Sequence, residues 1–338
     1  MLRTRKWLIK ASSSAFRCIR WCLLLGCCTL IYAHFIEPNW IEINSLQLTL
    51  PNLASEFNGY RIVQISDIHR DRWMTPRRLK RIVRLVNQQK PDLIAITGDL
   101  VTRNLPQFIP SLTVSLNHFT PKDKTVAILG NHDHENDTPA IIQAIKQSNI
   151  VYLDNDIYTL QRGSAMLHIA GVDDVQMGKS RLDLVMQKLP KTGAAILLAH
   201  EPDFAIASAA TGRFDLQLSG HSHGGQIRLP LITPPILPPF ARQYYIGKYQ
   251  VGKMFLYTNR GLGMTGLHLR FFARPEITVF TLVAPINPAP PFNAGSPETA
   301  GTVAELVTKA GAEILAATLV ESEQVAVRLG IKPEQLLK

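Results

Sequence analysis

Five short polar motifs each follow an apolar run with the length of a buried β-strand. They are Asp67-Ile68-His69, Gly98-Asp99, Gly130-Asn131-His132-Asp133, His200 and Gly220-His221-Ser222-His223. Because the carboxyl ends of strands gather on one side of an α/β sheet, the side chains of these motifs are expected to meet there. The recurrence therefore predicts an α/β domain whose strand ends form one shared site.

The apolar runs, separated by turn signals, predict eight strands. These strands are expected at residues 61–66, 92–98, 125–130, 166–172, 194–200, 216–220, 255–259 and 276–282. Strand–helix–strand units followed by a strand-rich second half predict two stacked sheets flanked by helices.

Three helices are predicted between the strands. At residues 75–89, Thr75 can cap the helix, and apolar residues recur at helical spacing opposite a strongly basic face. Two further helices are predicted at residues 137–147 and 182–189. Residues 229–250 are rich in proline in their first half, which excludes a regular helix there.

Composition limits the kind of protein and the kind of site. A hydrophobic content of 46% with 18% charged residues is typical of a packed globular protein. All four cysteines lie before residue 30, so the main domain can have neither a disulfide framework nor thiolate zinc ligands. Any metal there must be held by His, Asp and Asn.

The formal net charge of +10 is concentrated in two stretches, residues 1–37 and residues 68–90. This distribution favours anionic partners such as phosphates, anionic lipids or nucleic acid. No aromatic residues suited to base stacking interleave with the basic residues of the 75–89 helix, so we do not expect a nucleic-acid partner.

Residues 21–36 form an uncharged apolar run of sixteen residues preceded by basic residues. As a helix it would extend about 24 Å, short of the roughly 30 Å hydrocarbon core, but flanking residues can help it to span. We predict an uncleaved membrane anchor; a cleaved signal peptide and an interfacial or buried helix are the alternatives. The preceding basic residues favour a main domain outside the cytoplasm.

We therefore divide the chain into three parts. Residues 1–40 form a basic segment with the anchor, residues 41–285 form the main domain, and residues 286–338 form a Pro-rich linker with a helical tail.

Two of the motifs have the spacing of paired metal ligands. Asp67 and His69, like His221 and His223, stand at positions i and i+2. If the backbone at the strand tip is extended, two such side chains point the same way and can share a cation. Each motif alone is more simply a polar turn or a flexible loop, so the prediction depends on all five occurring together.

The remaining motifs add complementary ligand types. Asp99 offers a carboxylate that can bridge two cations, Asn131 a neutral oxygen, and His200 an imidazole. Asp, Asn and His ligands without cysteine suit Mn, Fe, Zn, Co or Ni. His132 stands beside Asp133, whose carboxylate is expected to fix the imidazole tautomer or raise its pKa.

Together these motifs resemble the calcineurin-like metallophosphoesterase superfamily. Its pattern D-x-H, G-D, G-N-H-[DE], H, G-H-x-H is complete here and covers residues 61–282. The runs GHSHGGQIRLP, LYTNRGLG and RPEITVF further resemble bacterial membrane-associated single-domain phosphodiesterases, including relatives of the UDP-diacylglucosamine hydrolases. The resemblance implies a four-layer α/β/β/α sandwich of two mixed sheets, anchored in a bacterial plasma membrane.

The resemblance also implies a role for each residue. The implied ligands of the first metal are Asp67, His69 and His223; those of the second are Asn131, His200 and His221; Asp99 bridges the two. His132, assisted by Asp133, would stabilise the transferring phosphoryl group or protonate the leaving oxygen. The implied nucleophile is a metal-bound hydroxide.

Three features bear on the substrate. Many relatives have a Leu and then a Gly soon after the first histidine, but Arg70 and Arg72 stand here, and a guanidinium suits phosphate. The basic face of the 75–89 helix could meet anionic lipid heads. The 229–250 stretch could form an apolar rim. Alternatively, Arg70 and Arg72 lie in a solvated loop, the basic side of the 75–89 helix is an ordinary solvated face, and the 229–250 stretch is a packed cover over the sheet.

We therefore predict a dinuclear-metal phosphodiesterase or pyrophosphatase that acts on a membrane-associated or lipid-linked substrate, such as a UDP-diacylglucosamine-like pyrophosphate. That example would require the main domain to face the cytosol, whereas the basic residues before the anchor favour a main domain outside the cytoplasm. The first alternative is a phosphodiesterase for soluble nucleotides. A non-catalytic binding module of the same fold is less favoured, because it would be expected to lose ligands or His132.

Overall fold

The structure is a computed structural model that describes residues 2–229 and 232–286, with only the backbone for residues 2–15. The predicted linker and helical tail lie outside the described residues apart from Ile286. The helices are α1 (Leu2–Ile31), α2 (Pro76–Gln88), α3 (Ile109–Leu116), α4 (Asn131–His134), α5 (Thr138–Gln147), α6 (Leu182–Lys188) and α7 (Ala205–Ala210).

Twelve strands are assigned in the described residues. They are β1 (Glu42–Thr49), β2 (Arg61–Ile65), β3 (Leu93–Thr97), β4 (Lys124–Ile128), β5 (Val151–Tyr152), β6 (Asp156–Arg162), β7 (Ala165–Gly171), β8 (Ala194–Leu198), β9 (Leu216–Ser219), β10 (Gly247–Val251), β11 (Met254–Thr258) and β12 (Glu276–Val283). The eight predicted strands are confirmed, and so are the helices α2, α5 and α6.

The strands form two six-stranded sheets, with the orders β1-β12-β2-β3-β4-β5 and β10-β11-β9-β8-β7-β6. Both sheets are mixed. In the first, β2, β3, β4 and β5 run parallel and β12 pairs antiparallel with β2; in the second, β7, β8, β9 and β11 run parallel between antiparallel edge strands. The predicted pair of stacked mixed sheets is therefore present.

Alternating side chains along each strand separate the four layers. On β2, Ile62 packs between the sheets, whereas Val63 packs outward against the cluster that includes α2, α3 and α5. On β8, Ile196 faces the interior between the sheets and Leu197 packs towards α6 and α7. The predicted α/β/β/α sandwich is thus confirmed.

The N-terminal helix is longer than the uncharged run alone indicates. Helix α1 leads into one turn of π-helix, Tyr32–Ile36, and a short 3₁₀ turn, Glu37–Asn39. The segment Phe16–Asn39 comprises 24 residues and contains an 18-residue window with a mean hydropathy of 1.7, and little of that window is buried. At 1.5 Å per residue it extends about 36 Å, enough to cross a membrane.

Candidate metal centre

The two sheets bring their parallel strand ends to one place. Strands β2, β3 and β4 of the first sheet and β8 and β9 of the second each end at one of the five motifs. Hydrogen bonds connect these ends: Gln64 Nε2 donates to Ser219 O at 3.0 Å, and His200 Nδ1 donates to Thr97 O at 2.7 Å. The motifs therefore face one another across the gap between the sheets.

The first group of converging side chains contains Asp67, His69 and His223, all buried. His69 Nε2 lies 3.1 Å from His223 Nε2, and His223 Nε2 lies 3.3 Å from Asp67 Oδ1. Two neutral imidazole nitrogens at this distance repel each other through their lone pairs unless a proton or a cation lies between them. The geometry is that of three ligands around one centre.

The second group contains Asp99, His200 and His221, also buried, with their ligand atoms within 4.8 Å of one another. Asp99 connects the two groups. Its Oδ2 lies 3.3 Å from His200 Nε2 in its own group and 3.4 Å from His69 Nε2 in the first. A carboxylate between two such groups occupies the position of a bridging ligand.

The backbone of this cluster corrects one sequence-based expectation. Asp67 and His69 have φ values of 50° and 46°, and His221 and His223 have 67° and 50°, so none of the four lies in an extended tip. Asp99 is also left-handed, at 54°. Such a conformation costs about 1–2 kcal/mol per residue for L-amino acids. Five strained residues in one cluster indicate that the fold holds these side chains for function.

Glycines next to the ligands allow the strand ends to approach closely. A Cβ on Gly98, where φ is 92°, would lie 2.5 Å from His200 Nδ1. A Cβ on Gly130 would lie 2.7 Å from His200 Nε2, and one on Gly220 would overlap the side chains of Ser66 and Asp67. The glycines that precede the ligands are thus required sterically.

Hydrogen bonds and burial prepare the imidazoles to bind a cation. His200 donates from Nδ1 and His221 from Nε2, in the latter case to Pro239 O at 2.9 Å, so a cation can bind only at the other nitrogen of each ring. Burial lowers the pKa of His200, but the adjacent Asp99 carboxylate outweighs burial and raises that pKa well above its usual value, so a cation there would replace a proton. Burial lowers the pKa of His69 to about 3 and that of His221 to about 4, so both are neutral at pH 7. Neutral imidazole is the form that binds metals.

Unpartnered polar atoms provide a direct test of whether a cation fits. Among the described residues, His200 Nε2 and Asn131 Oδ1 are buried without a hydrogen-bond partner. Leaving buried polar atoms unsatisfied costs about 1–3 kcal/mol each, so their concentration at one place requires an explanation. Nitrogen and oxygen donors without a thiolate suit divalent cations of the Mn, Fe, Co, Ni and Zn series.

Comparison with known proteins places this centre in a family. The family model described as "Calcineurin-like phosphoesterase" matches residues 60–225, which include all five motifs. The uncharacterized metallophosphoesterase YkuE of Bacillus subtilis (strain 168) is 39% identical over 257 residues, 74% of this chain and 88% of that protein. The chain belongs to the calcineurin-like phosphoesterase family. It is therefore a metallophosphoesterase, and the predicted hydrolase class is confirmed.

Two further relatives have more informative names. The phosphodiesterase YaeI of Escherichia coli (strain K12) is 29% identical over 257 residues, 75% of this chain and 92% of that protein. The UDP-2,3-diacylglucosamine pyrophosphatase LpxG of Chlamydia muridarum (strain MoPn / Nigg) is 28% identical over 316 residues, 74% of this chain and 92% of that protein. One relative is thus named as a phosphodiesterase and the other as a pyrophosphatase.

In this metallophosphoesterase, Asp133 does not contact His132 as the sequence suggests. The Asp133 carboxylate accepts hydrogen bonds from the backbone N–H groups of Leu100, Val101 and Gly130, at 2.9–3.1 Å. Side chains of adjacent residues at the start of a helix point in different directions, so the two cannot pair. Asp133 instead connects the loops that follow β3 and β4.

His132 has a different partner that fixes its tautomer. Its Nδ1 accepts a hydrogen bond from Arg103 N at 3.2 Å, so in the neutral ring Nε2 carries the proton. The ring lies edge-on to His69, with 4.8 Å between centroids, and it is only half-buried. His132 N also donates to Asp99 Oδ1 at 3.0 Å. His132 therefore adjoins the centre and remains accessible to a substrate.

The two candidate substrate-binding arginines differ in their surroundings. Arg70 is buried; its guanidinium donates to Asp71 O and Ser111 Oγ and lies 4.6 Å from the centre of the Phe108 ring. These contacts turn it towards α3, so the structure does not favour Arg70 as a phosphate contact. Arg72 is exposed, and its assignment to substrate binding stays a prediction.

Two features near the centre have no sequence motif. Arg270 is completely buried and donates to the carbonyls of Gly261, Gly263 and Ala273, which holds a loop against the centre. Asp174 and Glu201 form a buried carboxyl pair beside His200; burial and the Glu201 charge raise the pKa of Asp174 to about 10. The only sequence signal is that these acids follow β7 and β8 at the same sheet edge.

Proposed function

We propose that this metallophosphoesterase hydrolyses a phosphodiester or pyrophosphate bond in a lipid-linked substrate, such as a UDP-diacylglucosamine-like pyrophosphate, with two divalent cations. One observation carries the dinuclear part of the proposal. The Asp99 carboxylate lies 3.3–3.4 Å from an imidazole nitrogen of each of the two ligand groups. Two separate mononuclear sites would not need a shared carboxylate.

The proposed ligands follow from the two groups. Asp67, His69 and His223 would hold the first cation, His200, His221 and Asn131 the second, and Asp99 both. When bound, the cations would supply Lewis-acid stabilisation of the developing negative charge and lower the pKa of water towards neutrality. The imidazoles of His69, His221 and His223, whose pKa values are lowered by burial, and the unpartnered Asn131 oxygen support this assignment, because they need no deprotonation to bind.

His132 would act on the phosphate itself. With Nδ1 accepting from the Arg103 backbone, its Nε2–H is available to donate to the transferring phosphoryl group or to the leaving oxygen. Asp133 would be a positioning residue, because its three backbone contacts fix the loops that carry Asp99 and His132. Neither residue is proposed as a metal ligand.

The lipid-linked nature of the substrate rests on two further observations. Segment Phe16–Asn39 is long and apolar enough to cross a membrane, and we propose that it anchors the enzyme there. The LpxG relative is named as a pyrophosphatase for a diacylated UDP-sugar. A membrane enzyme whose relative acts on an acylated pyrophosphate is expected to use an amphiphilic phosphate ester.

A comparison of substrates tests this proposal. The full-length chain, purified in detergent with Mn²⁺, is assayed with UDP-diacylglucosamine and with UDP-N-acetylglucosamine, which share the pyrophosphate but differ in their acyl chains. We expect a kcat/KM about 100-fold higher for the acylated substrate, since burial of a few methylenes accounts for such a factor. Equal values for the two, or faster hydrolysis of soluble nucleotides, would favour the soluble alternative.

A further inference from the structure

The end of the N-terminal helical segment is fixed directly to the catalytic domain. Ala33 O accepts a hydrogen bond from Arg270 N at 2.9 Å, and His34 Nδ1 donates to His268 O at 2.9 Å. The Glu37 carboxylate accepts from the N–H groups of Phe272 and Ala273, at 3.0 and 2.6 Å. The end of the helical segment therefore packs directly on residues 268–273.

The same loop reaches the metal centre. Gly263 N donates to Asp67 O at 2.6 Å, and Arg228 N donates to Phe271 O at 2.8 Å, shortly after His223 in the chain. A β-bridge also pairs Ile227 with Phe271. The 262–273 loop therefore connects the helical segment to ligand Asp67 and to the residues that follow ligand His223.

The contact between the helical segment and the 262–273 loop determines where the loop lies relative to a membrane. The residues of the helical segment that hold the loop, Ala33 to Glu37, lie inside the 24-residue segment that is apolar enough to span a membrane. If this segment crosses the bilayer, the loop packed against its end must lie at the bilayer surface. The side chains at this level are then expected to be apolar.

Exposed apolar side chains are present where this geometry requires them. Leu267 and Phe272 of the loop are 69% and 53% exposed, although solvent exposure is unfavourable for such side chains. The Pro-rich segment that follows His223 adds further exposed residues, and its buried Pro234 packs against Gly225. The apolar collar, as we define it, consists of Phe35, Leu229, Ile232, Ile236, Leu267 and Phe272.

Aromatic and basic side chains flank the same end of the segment. Trp40 is 52% exposed, and Arg274 Cζ lies 4.1 Å from its ring centre. Arg78 of α2 lies 3.8 Å from the ring centre of Trp73 and donates to the Asn39 side chain. Tryptophan and arginine at the end of an apolar helix are typical of the membrane–water interface.

We propose that the apolar collar inserts into the bilayer and holds the metal centre at the level of the lipid headgroups. A phosphate in the headgroup layer would then reach His132 while the acyl chains stay in the membrane. The bilayer is the proposed occupant because the loop that carries Leu267 and Phe272 is hydrogen-bonded directly to the end of the apolar segment. The inference rests on the membrane anchor of the proposed function.

Lipid quenching of a fluorescent label tests the insertion. The four cysteines, all in α1, are replaced by alanine in the full chain, and bimane is attached to a single new cysteine in nanodiscs with brominated acyl chains. Labels at Leu267 and Phe272 should be quenched. A control label at Lys253 should not be quenched. Lys253 directly precedes β11 and so lies at the end of that strand opposite to the metal centre.

A label at Leu24 separates the possible failures. Quenching at Leu24 without quenching at Leu267 or Phe272 would overturn the collar proposal and leave the anchor intact. A lack of quenching at Leu24 would contradict the anchor and, with it, the collar. Neither result depends on enzyme activity, so the proposed hydrolysis stands or falls separately.

Activity provides a second test. The double variant Leu267→Asp with Phe272→Asp should hydrolyse bis-p-nitrophenyl phosphate at the normal rate. It should hydrolyse UDP-diacylglucosamine embedded in phosphatidylcholine nanodiscs about tenfold more slowly or worse. Val114→Asp, at another exposed apolar position on α3, is the matched control. A normal rate of the double variant on the embedded substrate would overturn the proposal.

Discussion

Asp99→Asn is expected to lower kcat/KM by about 10³-fold, equivalent to about 4 kcal/mol, because it removes the charge shared by the two cations. Asparagine has nearly the same shape, and its Oδ1 can still accept the hydrogen bond that His132 N donates to Asp99. The fold should therefore persist. The measurements are steady-state hydrolysis of bis-p-nitrophenyl phosphate and the metal content by mass spectrometry, which should fall below two per chain.

Asp92→Asn is the matched control for this variant. Asp92 is also a buried carboxylate next to β3, but it accepts from Arg61 N and pairs with Lys122, away from the centre. This control should keep both its metal and its activity. A fully active Asp99→Asn variant with two bound metals would show that no bridging carboxylate is needed.

His132→Gln is expected to lower kcat by about 10²–10⁴-fold, the usual contribution of a positioned proton donor, while the metal content stays unchanged. Glutamine can still accept from Arg103 N, so the loop geometry should be preserved. The defect should be larger for a poor leaving group than for p-nitrophenolate, which needs little protonation. That dependence on the leaving group distinguishes proton donation from a structural role.

The control for His132 comes from the same short helix. His134 pairs through Nε2 with Asp173 Oδ1 at 2.7 Å and makes no contact with the ligand groups among the described residues. His134→Gln should retain normal kcat. If both variants lose activity equally for every leaving group, His132 would be a structural residue and the proposed proton transfer would be wrong.

The order of strands and motifs could be predicted because period and composition are local properties. Buried parallel strands such as β3 and β8 are short, continuous apolar runs, and polar residues directly after them mark the sheet edge. Strand β5, an edge strand of only two residues, is not predicted from the sequence, and neither are the edge strands β1, β6 and β10. Their exposed residues interrupt the apolar pattern, as in the partly buried sequence of β10.

Side-chain directions at the site were less predictable. Left-handed backbone at Asp67 and His69 depends on contacts with Gly98, Asp99 and other strand ends, not on the local sequence. The partners of Asp133 and Arg70 likewise come from segments distant in the chain. From sequence adjacency, Asp133 is expected to contact His132 and Arg70 to contact phosphate. In the fold, Asp133 instead binds backbone N–H groups and Arg70 binds Ser111.

The connection between the helical segment and the active site likewise could not be predicted from the sequence. The uncharged run indicates only residues 21–36 as the anchor, whereas the helical segment extends in both directions beyond that run. Arg270 has no motif, yet it holds the carbonyls of the loop that contacts both Ala33 and Asp67. Such a role becomes visible only when three separate segments are brought together.

Metal titration of the chelator-treated full-length chain tests the dinuclear mechanism most directly. Hydrolysis of bis-p-nitrophenyl phosphate is followed as Mn²⁺ is added in stoichiometric steps, with bound metal measured in parallel. We expect negligible turnover without metal and a maximum when two ions are bound per chain. Full turnover without metal, or a maximum at one bound ion, would contradict a centre of two cations bridged by Asp99.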